Sequence, residues 1–242
     1  MENFPFRAPL VVGYKGEIGS FILQGLLRHM PKALDIYCVD KNESHDEVTD
    51  RIKRSDVIFL CVPIKETVHW LIQYRALLKG KVVYEQTSLK STVYKNINKI
   101  FAYKANFELK SMHILFRPSA TPNKSDRKVA IIDPTKFGPE ETAAIAAITE
   151  SDIQWIVNHA MHDLIMARQQ ALMHRVLLTL DRTVGNNPKT YISLKVRELC
   201  DRILSGDAGL YESIQNNHYL PKALNEFKRN LRKFNIKNEF KT

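Results

Sequence analysis

The sequence predicts an α/β fold: a mainly parallel sheet in roughly the first two thirds of the chain, and helices alone after it. Three observations carry this. A short apolar run, Leu10-Val11-Val12, passes into a loop with glycines at 13, 16 and 19 and then into a helical pattern. A second apolar run ends in an acid, Asp40, 21 residues after Gly19. Strand-like and helix-like stretches then alternate to about residue 157, and no strand-like stretch follows. Alternation of that kind builds a parallel sheet with helical crossovers.

From Glu17 onward, Ile18, Phe21, Ile22, Gly25, Leu26 and Leu27 fall on one face at helical spacing. Strand, glycine turn and helix open a dinucleotide-binding unit. The glycines let the backbone turn tightly and approach a pyrophosphate, which then meets the free N–H groups at the helix N-terminus. The spacing GxxGxxG is one residue longer than the common form, and the cofactor contacts expected from it are Gly13, Gly16, Glu17, Ile18 and Gly19. Leu34–Asp40 reads as the second strand. A carboxylate at its end accepts hydrogen bonds from both ribose hydroxyls and repels a 2′-phosphate, so Asp40 favours NAD over NADP.

Asp46–Lys53 reads as a helical turn. Ser55–Pro63 is a third strand, almost wholly apolar as a strand covered on both faces should be. Val62 and Pro63 end it where a cofactor would lie. Lys65–Leu78 reads as a helix stopped by Gly80, Lys81–Thr87 as the fourth strand, and Ser91–Phe101 as a helix after the loop Ser88-Leu89-Lys90-Ser91. Lys110–Pro118, containing His113, and Arg127–Asp133 are the fifth and sixth strands. Pro139–Thr149 is a short alanine-rich helix and Ile153–Val157 the last strand. Residues 1–157 are therefore expected to form a Rossmann-type dinucleotide-binding domain.

His159–Gly185 is one long helical pattern without an internal proline or glycine. Thr190–Leu204 and Leu210–Phe234 continue in helices, broken at Ser205-Gly206-Asp207 and at Pro221. Residues 158–242 thus form an all-helical domain, small for an independent core. Its apolar faces are expected to pack on a second copy, making a homodimer.

The 242 residues are 44% hydrophobic and 26% charged, ordinary for a packed core with a charged surface. Cys38, Cys61 and Cys200 are far apart, and two of them lie in apolar strands, so reduced thiols are expected, with neither a disulfide framework nor a metal site. No apolar run approaches the ~20 residues that span a bilayer, and MENFPFRAPL lacks the charged-then-apolar pattern of a signal peptide. A cytoplasmic protein without a membrane partner is expected. The net charge of +10 is concentrated in Lys222, Lys228, Arg229, Arg232, Lys233, Lys237 and Lys241. These spread around helical turns without interleaved aromatics, which reads as a solvated face rather than a nucleic-acid site.

HDLIMARQQALMH, His162–His174, resembles the His-Asp helix of prephenate dehydrogenases. The order GYKGEIG, DVIFLCVPI, EQTSLKS and a strand with His113 is similar to that family, and RILSGDAGLYESIQNN, Arg202–Asn217, to its closing segment. The resemblance runs from Pro9 to Phe234 and includes arogenate dehydrogenases. It implies oxidation of prephenate or arogenate with NAD or NADP, driven by aromatisation as carbon dioxide leaves. With no N-terminal helical extension for a chorismate mutase domain, a monofunctional enzyme is expected.

By the same resemblance, His113 stands at the catalytic histidine that meets the substrate's 4-hydroxyl. Ser88 stands at the serine that touches this histidine and the nicotinamide; its hydroxyl can orient the imidazole or bridge to substrate. Arg202 stands at the arginine that holds a substrate carboxylate. From the residues themselves, Arg197 and Arg117 are further candidates for that carboxylate, and His162 either lines the substrate pocket or caps a buried helix start. Lys90 lies beside the cofactor crevice, and His174 is expected to be structural. The family pattern His-Pro-Met-x-Gly-Pro is HILFRP in this chain, with Ile114 for proline and Arg117 for glycine. A histidine base of ordinary pKa would put an acid limb of activity between about 6 and 7. The expected function is NAD-dependent oxidative decarboxylation of prephenate to 4-hydroxyphenylpyruvate in tyrosine biosynthesis. The alternatives are an arogenate dehydrogenase or a non-catalytic NAD-binding relative.

Overall fold

The strands run in chain order as β1 (Pro9–Val12), β2 (Tyr37–Val39), β3 (Val57–Leu60), β4 (Val82–Glu85), β5 (Glu108–Ile114), β6 (Lys128–Ile132) and β7 (Asp152–Ile156). They form one sheet in the order β2-β1-β3-β4-β5-β6-β7. The computed structural model describes residues 4–101, 106–121, 123–185, 187 and 190–234; Lys237 and Lys241 lie outside them. All pairings are parallel except β5 with β6, which is antiparallel. The other adjacent strands are joined through α-helices, but β5 reaches β6 through short 3₁₀ turns at Pro118–Ala120 and Lys124–Asp126, and without a crossover helix the chain returns antiparallel.

Helices cover both faces. On one side α1 (Glu17–His29) and α5 (Pro139–Thr149) bury Phe21, Ile22, Leu26, Ile145 and Ile148 against Val11, Phe59 and Ile131. On the other, α2 (His45–Arg54), α3 (Ile64–Gln73) and α4 (Lys90–Phe101) bury Val48, Ile52, Leu71, Val93 and Ile97 against Leu10, Ile58 and Val83. Each such fully buried aliphatic side chain is worth about 1.5–3 kcal/mol. The backbones of α1 and α5 come so close that a Cβ on Gly25 would stand 1.9 Å from the carbonyl oxygen of Ile148.

Element ends differ from the sequence reading in instructive ways. The turn expected at Asp46–Lys53 is a ten-residue helix. Ser44 Oγ accepts the Glu47 N–H and the Glu47 carboxylate accepts the Ser44 N–H at 2.8 Å, a capping box that starts the helix earlier. The second strand shortens to three residues, Tyr37–Val39. His159–Gly185 is not a uniform α-helix: α6 (His159–Met166) and α7 (Met173–Val184) flank a π-helical stretch, Ala167–Leu172. Widening upsets the carbonyl ladder, and Gln215 Nε2 donates to the Ala171 carbonyl at 3.0 Å. The remaining helices are α8 (Tyr191–Leu204), capped by Thr190, α9 (Ala208–Gln215) and α10 (Leu220–Lys233). Pro221 sits in the first turn of α10, where its missing N–H costs nothing, so it starts that helix rather than breaking one.

The chain divides into two compact units, 1–162 and 163–242, where the sequence reading put the division after residue 157. The first turn of α6 belongs with the sheet because His159 stacks on Tyr94, ring centres 3.5 Å apart, and His162 meets His113. In the second unit Lys222, Lys228, Arg229, Arg232 and Lys233 are exposed on α10. Among the described residues no helix is long and apolar enough to cross a membrane.

Candidate active site

The glycine loop is pinned at the point where the strand order reverses around β1, the place where open α/β sheets bind ligands. Gly13 has φ +80° and donates its N–H to the Val39 carbonyl at 2.8 Å. A Cβ on Gly13 would stand 2.5 Å from the Cys61 carbonyl oxygen and 3.5 Å from a Val62 methyl; one on Gly19 would stand 2.1 Å from the Gly13 oxygen. Gly16 is the N-cap of α1 and provides no side-chain cap, so the first N–H groups of the helix lack an intrahelical partner. Pro63 caps α3 beside Val62. Ile18 turns its side chain onto the core, leaving its backbone N–H as the group it can offer a phosphate.

Glu17 is already engaged through its side chain. Its carboxylate accepts from the Ser119 N–H at 2.9 Å, from Ser119 Oγ, and from Arg117 Nε at 3.2 Å. Burial works to raise this carboxyl, but the Ser119 bonds and the Arg117 guanidinium hold it below the usual range. The Arg117 that departs from the family pattern is thus the partner of an acid in the first turn of α1, not a spare cation.

Asp40 Oδ2 accepts the Lys15 N–H at 3.0 Å and Oδ1 the Lys41 N–H at 2.8 Å. A carboxylate has about four acceptor sites, so capacity for a ribose remains. Glu43, passed over in the sequence reading, accepts the Asp40 N–H at 2.6 Å and stands 3.9 Å from the Lys15 ammonium. Its signal was the spacing Asp40-x-x-Glu43 after a strand.

Across the same sheet, near the C-terminal end of β5, lies a pair of imidazoles. His113 is 7% exposed and His162, in the first turn of α6, is 0% exposed. Asn158 sets that turn: its side-chain oxygen accepts the Met161 N–H at 2.9 Å, a role asparagine favours at helix starts. His113 Nδ1 and His162 Nε2 are 3.0 Å apart, so one ring donates and the other accepts. Burial, the neighbouring His162 and the Lys90 ammonium hold the His113 pKa well below the ordinary histidine value. If His113 donates through Nδ1, its Nε2 keeps the lone pair needed to accept a proton.

Ser88 is buried, and its Oγ makes no hydrogen bond among the described residues, neither to His113 nor as a cap of α4. Both amide atoms of Gln86, which the sequence reading missed, are likewise buried and unpartnered. Leaving such a group unpaired costs about 1–3 kcal/mol, and the two lie in one loop, EQTSLKS, at the C-terminal end of β4. Beneath them Lys90 is fully buried, not a phosphate contact at a crevice rim: its ammonium stands 2.7 Å from the equally buried Glu85 carboxylate. In the second unit Arg202 pairs with Glu198 on an exposed face of α8, and Arg197 with Asp181 and the Gly185 carbonyl. His174 stacks on Tyr211.

A doubly covered parallel sheet with a glycine cradle at its switch point defines a Rossmann-type dinucleotide-binding protein. Residues 28–108 match the family model of the prephenate dehydrogenase nucleotide-binding domain. The matched stretch holds Asp40, Val62, Pro63 and Ser88. Among solved structures the fold is similar to prephenate dehydrogenase of Aquifex aeolicus, in complex with hydroxyphenyl propionate and NAD+, at 18% identity and TM-score 0.70, covering 93% of this chain and 88% of that one. It is also similar to Synechocystis arogenate dehydrogenase, at 17% identity and TM-score 0.65, covering 93% and 90%. No curated protein matches the sequence.

Proposed function

We propose that the chain is an NAD-dependent prephenate dehydrogenase. The observation that carries this reading is the buried His113–His162 pair at the C-terminal edge of the sheet that also carries the glycine cradle. The cradle fits a dinucleotide: a Cβ at Gly13 or Gly19 would strike backbone, so the loop keeps its tight form only with glycine, and the uncapped start of α1 offers N–H groups to a pyrophosphate. Asp40, with Glu43 beside it, supports NAD over its 2′-phosphorylated form, because two carboxylates at the ribose corner repel a phosphate.

When bound, NAD supplies the acceptor for the hydride leaving C4 of the ring. His113 takes the 4-hydroxyl proton on Nε2, and its Nδ1–H stays bonded to His162 Nε2, which spreads the charge of the imidazolium formed. The C–CO2 bond breaks, its electron pair enters the ring, and the phenol oxygen regains a proton. Ser88 Oγ, buried without a partner in the protein alone, is assigned a hydrogen bond to substrate or nicotinamide. Arg202 is assigned a substrate carboxylate, for which its guanidinium would exchange the exposed Glu198. A homodimer is supported by apolar side chains left exposed in the second unit, among them Leu180, Val184, Tyr191, Ile192 and Leu194. The absence of a membrane-crossing helix among the described residues is compatible with the cytoplasmic site expected from the sequence.

The test is to mix purified protein with prephenate and NAD, and separately with arogenate and NAD, and to follow reduced nicotinamide. Turnover of prephenate is expected. Turnover of arogenate alone would reassign the substrate, and tight NAD binding without turnover of either would make the chain a non-catalytic relative.

A further inference from the structure

Glu85 and Lys90 form an ion pair with both side chains 0% exposed, at the end of β4 and the start of α4. Burying two charges is expensive unless every remaining donor and acceptor is met, and here the bonds that meet them lead to two places. The Glu85 carboxylate accepts the Thr87 N–H at 2.9 Å and the Thr87 hydroxyl at 2.5 Å, which shapes the turn carrying Ser88. The same carboxylate accepts from Ser111 Oγ, and Lys90 Nζ donates to the Met112 carbonyl at 2.8 Å. Ser111 and Met112 are the two residues before His113. One buried pair therefore ties the Ser88 turn to the His113 strand.

We propose that Lys90 and Glu85 are positioning residues for the candidate catalytic groups: together they fix the Ser88 turn against the end of β5 and so hold the strand that carries His113. The titratable groups acting on His113 come from two elements, His162 on α6 and Lys90 on α4. On β6 its partner is Ala130, which carries no charge. The proton-accepting form of His113 is the neutral one, and burial, His162 and Lys90 all favour it. A pair needed only to hold the fold would serve equally well as two neutral side chains of the same size.

The inference rests on the proposed function for its purpose, but its test does not need turnover. Histidine-labelled protein without ligands is titrated by NMR, with the His113 signal assigned from its loss in His113→Asn. Lys90→Met is compared with the double variant Lys90→Met/Glu85→Gln, which removes both charges and avoids a lone buried carboxylate. In the wild type His113 is expected to stay neutral to well below pH 6.5. In the double variant its titration should move upward, because the Lys90 ammonium that opposes protonation is gone. In the same variant kcat for whichever ring substrate is turned over should fall while KM holds. A folded double variant whose His113 titrates as in the wild type would overturn the proposal, and so would a wild-type His113 titrating at an ordinary histidine value. A double variant that cannot fold would also overturn it, assigning the pair to the fold alone. Absence of turnover in the wild type, with the NMR shift intact, would leave the positioning role standing and remove the dehydrogenase reading.

Discussion

His113 Nδ1 and His162 Nε2 stand 3.0 Å apart in a site that admits almost no water. At that distance the two rings share one bridging proton; one proton added to the neutral pair makes a single buried imidazolium, and a further one would place two positive charges side by side. With His113 donating through Nδ1, its Nε2 lone pair stays outside the bridge, and burial, His162 and Lys90 favour the neutral ring.

His113→Asn removes the proton acceptor and keeps a polar side chain. Turnover of prephenate should fall roughly 10²–10⁴-fold, the usual span for a lost general base, while NAD affinity holds within a few-fold. The acid limb of the wild type should vanish with it. Because His113 accepts a proton only when neutral, activity falls as pH drops through its pKa. That pKa is held well below the ordinary value, first by burial and then by His162 and Lys90. The limb should therefore lie below the window of about 6 to 7 that an unperturbed histidine suggests. A His113→Asn protein with normal turnover and an unchanged limb would move the base elsewhere.

His162→Phe keeps a ring but leaves His113 Nδ1 without its partner. Losing a buried hydrogen bond to a group that becomes charged costs about 1.5–3 kcal/mol, which is roughly 10–100-fold in rate. If KM for prephenate rises and kcat does not change, His162 contacts substrate instead of orienting the base.

Asp40→Ser should weaken NAD by about 1–3 kcal/mol through lost hydrogen bonds and narrow the gap to NADP. Calorimetric titration of both dinucleotides gives the comparison. A wild type that already binds NADP more tightly would show that Asp40 and Glu43 do not face the ribose, and Lys41 would then be the residue to replace.

Gly25→Ala leaves the site untouched and probes the packing beneath it. The added methyl would stand 1.9 Å from a backbone oxygen of α5, so the two helices must separate. Overpacking of this kind costs about 1–3 kcal/mol, and thermal unfolding should shift down by several degrees. An unchanged melting temperature would mean that α1 and α5 are not held at the spacing described.

Much of this protein follows from local pattern. Continuous apolar runs such as Val57–Leu60 make strands that bury both faces, the glycines at 13 and 19 stand where any side chain would strike backbone, and an acid follows the second strand. These depend on residues a few positions apart, so order and period suffice to see them. The antiparallel return of β5 to β6 and the π-helical stretch after Met166 were not visible, because they depend on a missing crossover helix and on a glutamine 44 residues beyond Ala171. The site divides in the same way. His113 in an apolar strand and Lys90 after a serine read as single residues of uncertain use. Only the folded chain brings His162 to His113 across 49 positions and buries Lys90 against Glu85 and the Met112 carbonyl. A buried polar group must find its partner wherever the sheet delivers one, and that place is decided by tertiary packing rather than by spacing along the chain.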